Sequence, residues 1–173
     1  MFRLQSARLQ LIPLNLDQLL LYKNDYAALC RSLGVEPLAI VMEEVFQAEF
    51  DDALVNYWIP QTAANQTDYR WFTNWLMVEN GTNVPVGGIG VAGLPNDEGE
   101  TEIGYGLGIA HRGKGYATEA LALLSHWVLS HGFVKAIIAH TPVDLKGSQR
   151  VLEKVNFKKI SENEGIVLWR KEI

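Results

Sequence analysis

Polar and apolar residues alternate near the beginning of the chain, around Arg8-Leu9-Gln10-Leu11, and this pattern predicts a strand within residues 3–12. Asn15 and Gln18 have the spacing of a capping box, which predicts that a short helix begins there. A second helix is predicted from Glu36-Pro37 to Pro60, because apolar residues recur every three to four positions. These residues are Met42, Phe46, Phe50, Ala53 and Tyr57.

The periodicity changes to that of strands beyond residue 70. Residues 71–78, 84–91 and 101–109 have extended, apolar patterns, and turn sequences separate them at Asn80-Gly81 and Pro95-Asn96-Asp97. Because short turns join strands that run in opposite directions, we expect an antiparallel meander of three strands.

An amphipathic helix follows, in which apolar residues from Ala117 to Val128 share one face and Gly132 is the expected closing residue. Asn156 is suited to the left-handed conformation that ends a later helix. The segments after Gly132 predict a strand, a helix and two further strands, at residues 136–141, 146–155, 157–160 and 166–170. The whole order predicts a mixed α+β fold.

Length and composition are those of an ordinary globular protein. We expect one domain over residues 1–173, since apolar residues make up 48% of the chain and a single core serves such a length. The lone cysteine, Cys30, excludes an internal disulfide and indicates a reducing compartment. The beginning of the chain lacks the pattern of a signal peptide, and no run of about 18 apolar residues would span a membrane. We therefore expect a cytoplasmic protein without a membrane partner.

The net charge of −5 is unevenly distributed. Residues 32–69 contain no lysine or arginine but seven carboxylates, which are Glu36, Glu43, Glu44, Glu49, Asp51, Asp52 and Asp68. An acidic chain is unsuited to nucleic acid, which binds basic surfaces. The acidic segment is either a solvated helix face or a wall that attracts a cationic substrate.

A glycine-rich loop between a predicted strand and the amphipathic helix is the most informative segment. Gly113 and Gly115 leave backbone N–H groups accessible at a helix N-terminus, and Arg112 and Lys114 add positive charge. This combination favours a phosphate or pyrophosphate over an ordinary strand-to-helix turn. A nucleotide P-loop would need a hydroxyl where Gly115 stands, and the glycine spacing departs from that of a Rossmann fingerprint.

The loop sequence Arg112-Gly113-Lys114-Gly115-Tyr116-Ala117 resembles the Arg/Gln-x-x-Gly-x-Gly/Ala signature of the GNAT acyl-CoA-dependent N-acyltransferases. The flanks are similar to the branch that contains the Rim-type ribosomal-protein N-terminal acetyltransferases. The segments that carry this similarity are Arg8-Leu9-Gln10-Leu11, Glu102-Ile103-Gly104-Tyr105, Thr118-Glu119-Ala120, Ala139-His140-Thr141, Ser148–Lys154 and Trp169. The resemblance implies a mostly antiparallel mixed sheet of about seven strands, with helices on both faces and a gap between the fourth and fifth strands.

The resemblance also implies acetyl-CoA as co-substrate, no metal, and direct attack of an amine on the thioester. Leu107, Gly108 and Ile109 would line the pantetheine arm and polarise the thioester carbonyl through a backbone N–H. The pyrophosphate would lie in the loop and first helical turn, formed by Arg112, Gly113, Lys114, Gly115, Tyr116, Ala117 and Thr118. Cys30 is not needed as a nucleophile and is expected to be a small buried residue.

Three residues are candidates for proton transfer. A lysine-like amine is almost fully protonated at pH 7 and needs a base, whereas an α-amine with a pKa of about 7.7 needs one less. Glu102 is the first candidate base and His140 the second, although a solvated carboxylate and a structural histidine are the alternative interpretations. Ser148 matches the hydroxyl that the family places beside the leaving sulfur.

Two positions depart from the family pattern. Leu145 and Lys146 stand where an asparagine commonly precedes the serine, and Lys146 is a candidate phosphate partner instead. Asn156 replaces a glycine and tolerates the same backbone conformation. The main prediction is an N-acetyltransferase acting on a primary amine, either a protein N-terminus or a small cationic molecule. The alternatives are a degenerate acyl-CoA-binding domain and a P-loop-like nucleotide binder.

The segment from Cys30 to Arg70 and the turn near Pro95–Glu100 are expected to select the acceptor. Tyr57, Trp58 and Trp71 form either an aromatic wall of that site or part of the core. The pattern leaves the oligomeric state open between a monomer and a homodimer.

Overall fold

The computed structural model describes residues 1–172. The strands are β1 (Leu4–Gln5), β2 (Leu9–Pro13), β3 (Trp75–Glu79), β4 (Pro85–Val91), β5 (Glu100–Leu107), β6 (Ala136–Pro142), β7 (Lys158–Asn163) and β8 (Ile166–Glu172). The helices are α1 (Leu16–Asn24), α2 (Tyr26–Leu33), α3 (Glu44–Ala53), α4 (Ile59–Ala64), α5 (Tyr116–Leu129) and α6 (Lys146–Lys154). A π-helical turn at Leu54–Trp58 joins α3 to α4, and short 3₁₀ turns lie at Tyr69–Trp71 and Ile109–His111.

The eight strands form one mixed sheet in the order β1-β2-β3-β4-β5-β6-β8-β7. All neighbours are antiparallel except β5 and β6, which run parallel. The expected sheet of about seven strands is confirmed, with one more because Ser6 divides the first predicted strand. Its hydroxyl accepts from the N–H of Leu9 and thereby closes the turn between β1 and β2.

A hydrophobic core covers each face of the sheet. Helices α5 and α6 pack on one face, where Leu121, Leu124 and Leu152 are fully buried. Helices α1 and α2 pack on the other, around Leu19 and Leu29. The expected placement of helices on both faces is therefore confirmed. No helix within residues 1–172 is long and apolar enough to cross a membrane.

Several local predictions are confirmed by backbone geometry. The Asn15 side chain accepts from the Gln18 N–H, and the Gln18 side chain reciprocates at Asn15 as a full capping box. Asn156 has a φ of 64°, the left-handed conformation expected after α6. The predicted end of α5 at Gly132 is wrong, because its last turn closes at Ser130, whose N–H bonds to the carbonyl of His126.

The predicted helix from residue 36 to residue 60 is wrong at both ends. Residues 36–43, which we call the strap, are non-helical because their backbone groups bond elsewhere: the Glu36 N–H to the Asn83 carbonyl, and the Val41 carbonyl to the Ile109 N–H. Pro60 does not end the helical segment. It lies in the first turn of α4, after a π-helical turn in which the Ile59 N–H donates to Leu54.

Helix α2 was not predicted from the sequence. It begins at Asp25, whose side chain accepts from the Ala28 N–H, and it ends at Gly34 in the left-handed conformation. Leu29, Cys30 and Leu33 form its buried face. Cys30 is therefore the small buried residue expected, and burial raises the pKa of its thiol.

Candidate active site

A gap opens between the two parallel strands in the middle of the sheet. β5 and β6 pair only from Glu100↔Ala136 to Glu102↔Ile138, whereas β5 stays paired with β4 as far as Leu107. We call the space beyond Glu102 and Ile138 the wedge. These strands correspond to the fourth and fifth predicted strands, so the expected gap between them is confirmed.

The hydrogen-bonding pattern of β5 decides which backbone groups face the wedge. The Gly108 N–H donates to Val86 and the Glu102 carbonyl accepts from Ala92, so even-numbered residues of β5 bond toward β4. In an antiparallel ladder the intervening residues bond to the opposite side, which turns the N–H groups of Tyr105 and Leu107 into the wedge.

Two of the three residues expected along the pantetheine arm have N–H groups that are already used. Gly108 donates to the Val86 carbonyl at 2.9 Å, and Ile109 donates to the Val41 carbonyl at 2.8 Å. Leu107 is therefore the member of the predicted set whose N–H can polarise a carbonyl in the wedge.

A cleft of about 720 Å³ contains the wedge side of β5, the glycine-rich loop and the inner side of α3. Of the ten residues predicted to bind the cofactor, the cleft is lined by Leu107, Arg112, Gly113, Gly115, Ala117 and Thr118. Gly108, Ile109, Lys114 and Tyr116 are not among the lining residues. The Tyr116 hydroxyl instead donates to Glu79 at the end of β3 and so anchors the start of α5.

The loop and the start of α5 present unused backbone donors. Gly113 and Gly115 have φ angles of 74° and 84°, the left-handed conformation that favours glycine. Gly115 is the residue before α5, and no side chain caps this helix. The N–H groups of its first turn, including those of Ala117 and Thr118, therefore lack an intrahelical partner and can bind an anion.

Arg8 supports this loop from β2, a role that sequence reasoning missed. Its guanidinium donates to the Lys114 carbonyl at 2.8 Å and pairs with Glu119 at 2.6 Å. The contact with Glu119 holds the first turn of α5 against the beginning of the sheet. The local pattern around Arg8 predicted a strand but not the contact with Glu119, which lies 111 residues away in sequence.

Arg112 is engaged across the mouth of the cleft by Glu43, the last residue of the strap. The guanidinium forms a bidentate ion pair with this carboxylate, and both side chains are about two-fifths exposed. Hydrogen bonding from Arg112 lowers the pKa of Glu43. The residue predicted to bind pyrophosphate is thus paired with an acid from the opposite wall.

Two further cations line the cleft, Arg150 and Lys154 on α6. Sequence reasoning missed both residues, although Lys146, Arg150 and Lys154 stand four residues apart, a spacing that places them on one face of a helix. Lys146, which was expected to pair with a phosphate, is not among the lining residues and instead lies near Glu162, whose pKa it helps to lower.

The two candidate bases, Glu102 and His140, contact each other at the wedge, on the face of the sheet opposite to Tyr105. Glu102 Oε1 lies 2.8 Å from His140 Nδ1, and each side chain is 44% exposed. Glu102 lines the cleft, whereas His140 is not among the lining residues. Because successive side chains of a strand alternate, Tyr105 points to the other face, where it packs against the core beneath α5.

Ser148 is paired with Tyr105, a residue that sequence reasoning did not single out for catalysis. The Tyr105 hydroxyl donates to the Ser148 carbonyl at 3.1 Å and lies 2.9 Å from its Oγ. Burial raises the pKa of Tyr105 to about 12, so the phenol is protonated at neutral pH. The alternation that places Tyr105 opposite Glu102 was readable from the sequence once β5 was predicted.

The turn between β6 and α6 is held by a glutamine side chain. Leu145 precedes α6 and offers no side-chain cap, but Gln149 Nε2 donates to the carbonyls of Pro142 and Val143 at 3.0 Å each. This amide fixes the turn that carries Ser148 into the cleft.

The three aromatic residues considered for an acceptor wall separate into two groups. Tyr57 and Trp58 line the cleft. Trp71 belongs to the core on the α5 side and packs against Trp127, with ring centroids 4.9 Å apart. The alternative interpretation of a core residue is therefore confirmed for Trp71.

Comparisons with known proteins agree with this geometry. A family model described as an acetyltransferase (GNAT) domain matches residues 19–158. YjdG of Bacillus subtilis, an uncharacterized N-acetyltransferase, is 40% identical over 88 residues, which cover 51% of this chain and 52% of that protein. The match thus spans about half the length of this curated relative.

Solved structures of similar fold cover nearly the whole chain. A ribosomal-protein-S5-alanine acetyltransferase from Vibrio fischeri has a TM-score of 0.68 at 16% identity, covering 99% of this chain and 97% of that one. The ribosomal L7/L12 α-N-protein acetyltransferase RimL, solved with CoA, has a TM-score of 0.67 at 14% identity, covering 99% and 98%. At these identities the likeness shows the fold.

Proposed function

The chain belongs to the GNAT acetyltransferase family, and on that premise we propose that it transfers an acetyl group from acetyl-CoA to a primary amine. One observation carries this proposal: a single cleft combines an uncapped helix N-terminus with a wedge flanked by Glu102 and by the Tyr105–Ser148 pair. The first feature suits a pyrophosphate, and the second suits proton transfer to and from the reacting groups.

The loop residues fit the cofactor. Gly113 and Gly115 present no side chain to a diphosphate, and an added Cβ at Gly113 would meet no atom within 4 Å. The first-turn N–H groups of α5 would bind the pyrophosphate, and Arg112, Arg150 and Lys154 would supply positive charge. Bound acetyl-CoA supplies the activated acetyl thioester, and the Leu107 N–H would polarise its carbonyl oxygen.

Proton movements are assigned to the two faces of the wedge. The Glu102 carboxylate would accept the proton that an ammonium must lose before its nitrogen attacks, and His140 would orient that carboxylate through the 2.8 Å contact. The hydroxyls of Tyr105 and Ser148 would donate the proton that converts the leaving thiolate to a thiol. The overall reaction consumes a free amine and releases an N-acetyl amine and CoA thiol.

The acceptor is either a protein N-terminus or a small cationic amine. Glu49 and Glu102 both line the cleft, and a pair of carboxylates attracts a protonated amine. RimL and the S5-alanine acetyltransferase, which have a similar fold, are named for ribosomal-protein substrates, which supports testing N-terminal peptides first.

A second candidate function, acyl-CoA binding without turnover, is favoured by one observation. Leu145 occupies the place where the family commonly has an asparagine, and it offers no polar group to the cleft. The Gln149 contacts argue against this second candidate function, because they maintain the turn before Ser148.

Calorimetric titration followed by a thiol-release assay tests the proposal. We expect acetyl-CoA and CoA to bind at micromolar concentration and Mg-ATP not to bind. Release of CoA thiol should then depend on an added amine, with N-terminal peptides and polyamines as the first panel. Binding of acetyl-CoA without amine-dependent release would identify the second candidate, and absence of CoA binding in a folded sample would reject both.

A further inference from the structure

The apolar stripe that predicted the second helix lies along the cleft. Helix α3 contains three of the five residues of this stripe and has no buried residue. An amphipathic helix normally packs its apolar face on a core, whereas this stripe forms one side of an open space. We call its members the apolar wall, and all of them line the cleft: Met42, Phe46, Phe50, Ala53 and Tyr57.

Most of the apolar wall is not held in a core. Within residues 1–172, Phe50 packs against the core on the side of α1 and α2. Met42, Phe46 and Tyr57 belong to neither core, although each is half-buried. The guanidinium of Arg112 lies over the Phe46 ring, 5.8 Å from its centroid, so the wall begins beside the glycine-rich loop. Half-buried apolar side chains around a concave space are typical of a ligand pocket.

The apolar wall stands over the face of β5 that carries Glu102. Ile103 packs in the core beneath α5, so Glu102, Gly104 and Gly106 face the other way. A Cβ at Gly106 would lie 3.8 Å from Met42 Cε, whereas a Cβ at Gly104 would meet no atom within 4 Å. An open stretch of strand therefore leads from the candidate base to the wall, and it is about 13 Å long at 3.3 Å per residue.

Few of the carboxylates in residues 32–69 are placed in the cleft. Glu49 lines it and is exposed. Glu43 is engaged by the ion pair at the mouth, and Asp51 and Asp52 accept hydrogen bonds from side chains of their own helical segment. The surface beside Glu102 is therefore mainly apolar, and its charge suits a single ammonium group.

We propose that the acceptor is a monoamine that bears an apolar group, with its ammonium at Glu102 and its apolar group against Met42, Phe46 and Tyr57. The inference rests on the proposed function and narrows it. A polyamine would place a second ammonium against the apolar wall, where it loses hydration. An apolar group in the same place removes the surface of the wall from water, which favours binding.

Hexylamine and 1,5-diaminopentane are a matched pair of acceptors. They have the same number of heavy atoms and differ in a terminal methyl group against a second ammonium. We expect kcat/KM to be about tenfold or more higher for hexylamine. It should also rise about two- to fourfold per methylene from butylamine to octylamine, whose amines have the same basicity. A diamine used as well as hexylamine would overturn the proposal and assign Glu49 to a second ammonium.

Met42→Gln keeps the length of the side chain and makes it polar. It should reduce the gain to less than about 1.5-fold per methylene, mainly through KM, while the thermal midpoint and acetyl-CoA affinity are retained. Val45→Gln is the control, since Val45 lies on α3, is 59% exposed and does not line the cleft. A merely structural role for Met42 predicts that the rates with butylamine and octylamine fall by the same factor, and this result would contradict the proposal.

The methionine methyl groups provide a binding readout that is independent of turnover. Met77 is fully buried in the core on the α5 side and serves as an internal reference. In CoA-loaded protein labelled at its methionine methyls, hexylamine should move the Met42 signal, assigned by its loss in Met42→Gln, and leave the Met77 signal in place. A Met42 signal that does not move in protein that binds CoA contradicts this inference alone. A protein that fails to bind CoA contradicts the proposed function.

Two tetrapeptides identify the source of the amine. Both end in three glycines, and one begins with leucine and the other with asparagine, whose side chains are similar in shape. A preference of about tenfold for the leucine peptide would support a protein N-terminus with an apolar first residue. Reaction of the alkylamines alone would support a small molecule. Equal rates with the two peptides would contradict the proposal.

Discussion

Helix α5 buries seven of its fourteen residues, whereas α3, on the other side of the same cleft, buries none of its ten. The first helix is held by the core and begins at the glycine-rich loop. The second follows the strap and contributes a half-buried Phe46 and an exposed Glu49 to the cleft. The loop side of the cleft, where we propose that the cofactor binds, is thus part of the folding core. The α3 side, where we propose that the acceptor binds, is attached to that core; we call these the cofactor side and the acceptor side.

The two sides also differ in how they would recognise a ligand. The loop before α5 offers backbone N–H groups, which any sequence with the same glycines presents. The strap and α3 offer side chains, which substitution can change without disturbing the core. Affinity for the cofactor should therefore resist mutation outside the loop, while acceptor preference should respond to single substitutions on α3.

A negative charge in the first turn of α5 should impair the cofactor side more than any other substitution described below. Thr118→Glu should weaken acetyl-CoA binding about 100-fold or more, since the carboxylate repels the pyrophosphate. The helix itself should be as stable as before, because an acidic residue at this position suits the helix dipole. Calorimetry measures the affinity and thermal unfolding the stability.

Thr118→Gln is the matched control, with similar size and no charge. It should bind acetyl-CoA within a few-fold of wild type. If Thr118→Glu retained wild-type affinity, the pyrophosphate would not lie at this helix.

Glu102→Gln should act on the acceptor side alone. We expect kcat/KM to fall about 10- to 100-fold for amines of high pKa, with less effect on α-amines, which lose their proton more readily. Calorimetry should show unchanged acetyl-CoA affinity. Glu98→Gln, at an exposed carboxylate in the turn before β5, serves as control, and an equal loss in both variants would exclude Glu102 as the base.

Tyr105→Phe should lower kcat about tenfold while acetyl-CoA affinity is retained, since it removes one of two hydroxyls near the leaving group. Because the pKa of Tyr105 is raised to about 12, the phenol stays protonated and the rate ratio of the two proteins should be constant from pH 7 to pH 10. A ratio that declines within that range would indicate a phenol that ionises in the working enzyme.

The same raised pKa has a consequence for stability. The folded state holds the Tyr105 proton more tightly than the unfolded chain does. The contribution of the protonated phenol to the free energy of unfolding is therefore complete below about pH 10, and it is lost as the pH rises to about 12. Urea denaturation at pH 9 and pH 11 should therefore show a smaller alkaline loss for Tyr105→Phe than for wild type. Equal losses would contradict the burial of the phenol.

Glu43 and Arg112 form the ion pair that joins the two sides, and its removal should change acetyl-CoA affinity only slightly. Glu43→Gln should free Arg112 and raise acetyl-CoA affinity about two- to fivefold, and the gain should shrink at high salt because both groups are exposed. Calorimetry at two salt concentrations measures it. Glu44→Gln removes a neighbouring exposed carboxylate as a control, and the same gain there would indicate a general charge effect.

Sequence patterns predicted β5 and α5, the elements on either side of the glycine-rich loop, because the determinants of these elements are local. The helix from residue 117, the turn glycines and the strand before them are all encoded within about thirty adjacent residues. The strap was predicted as helix because periodicity takes no account of distant partners, and its backbone bonds go to Asn83 and Ile109. The π-helical turn before Pro60 likewise accommodates a residue that ends most helices.

The distinction between local and long-range determinants also applies to individual residues of the candidate site. Glu102 and Ser148 became candidates because the sequence around them resembles a family motif. Tyr105 required knowledge of which face each β5 residue presents, and of its contact with Ser148, which lies 43 residues away along the chain. Roles that arise from long-range pairing cannot be read from local sequence.

The burial of Cys30 in α2 has a practical consequence. The thiol is fully enclosed and its pKa is raised, so hardly any thiolate reaches solvent while α2 stays folded. A disulfide reagent added to the enzyme should therefore react at once with released CoA and slowly with the protein. The slow phase would time the transient opening of α2, which makes the chain's own cysteine a label for local unfolding.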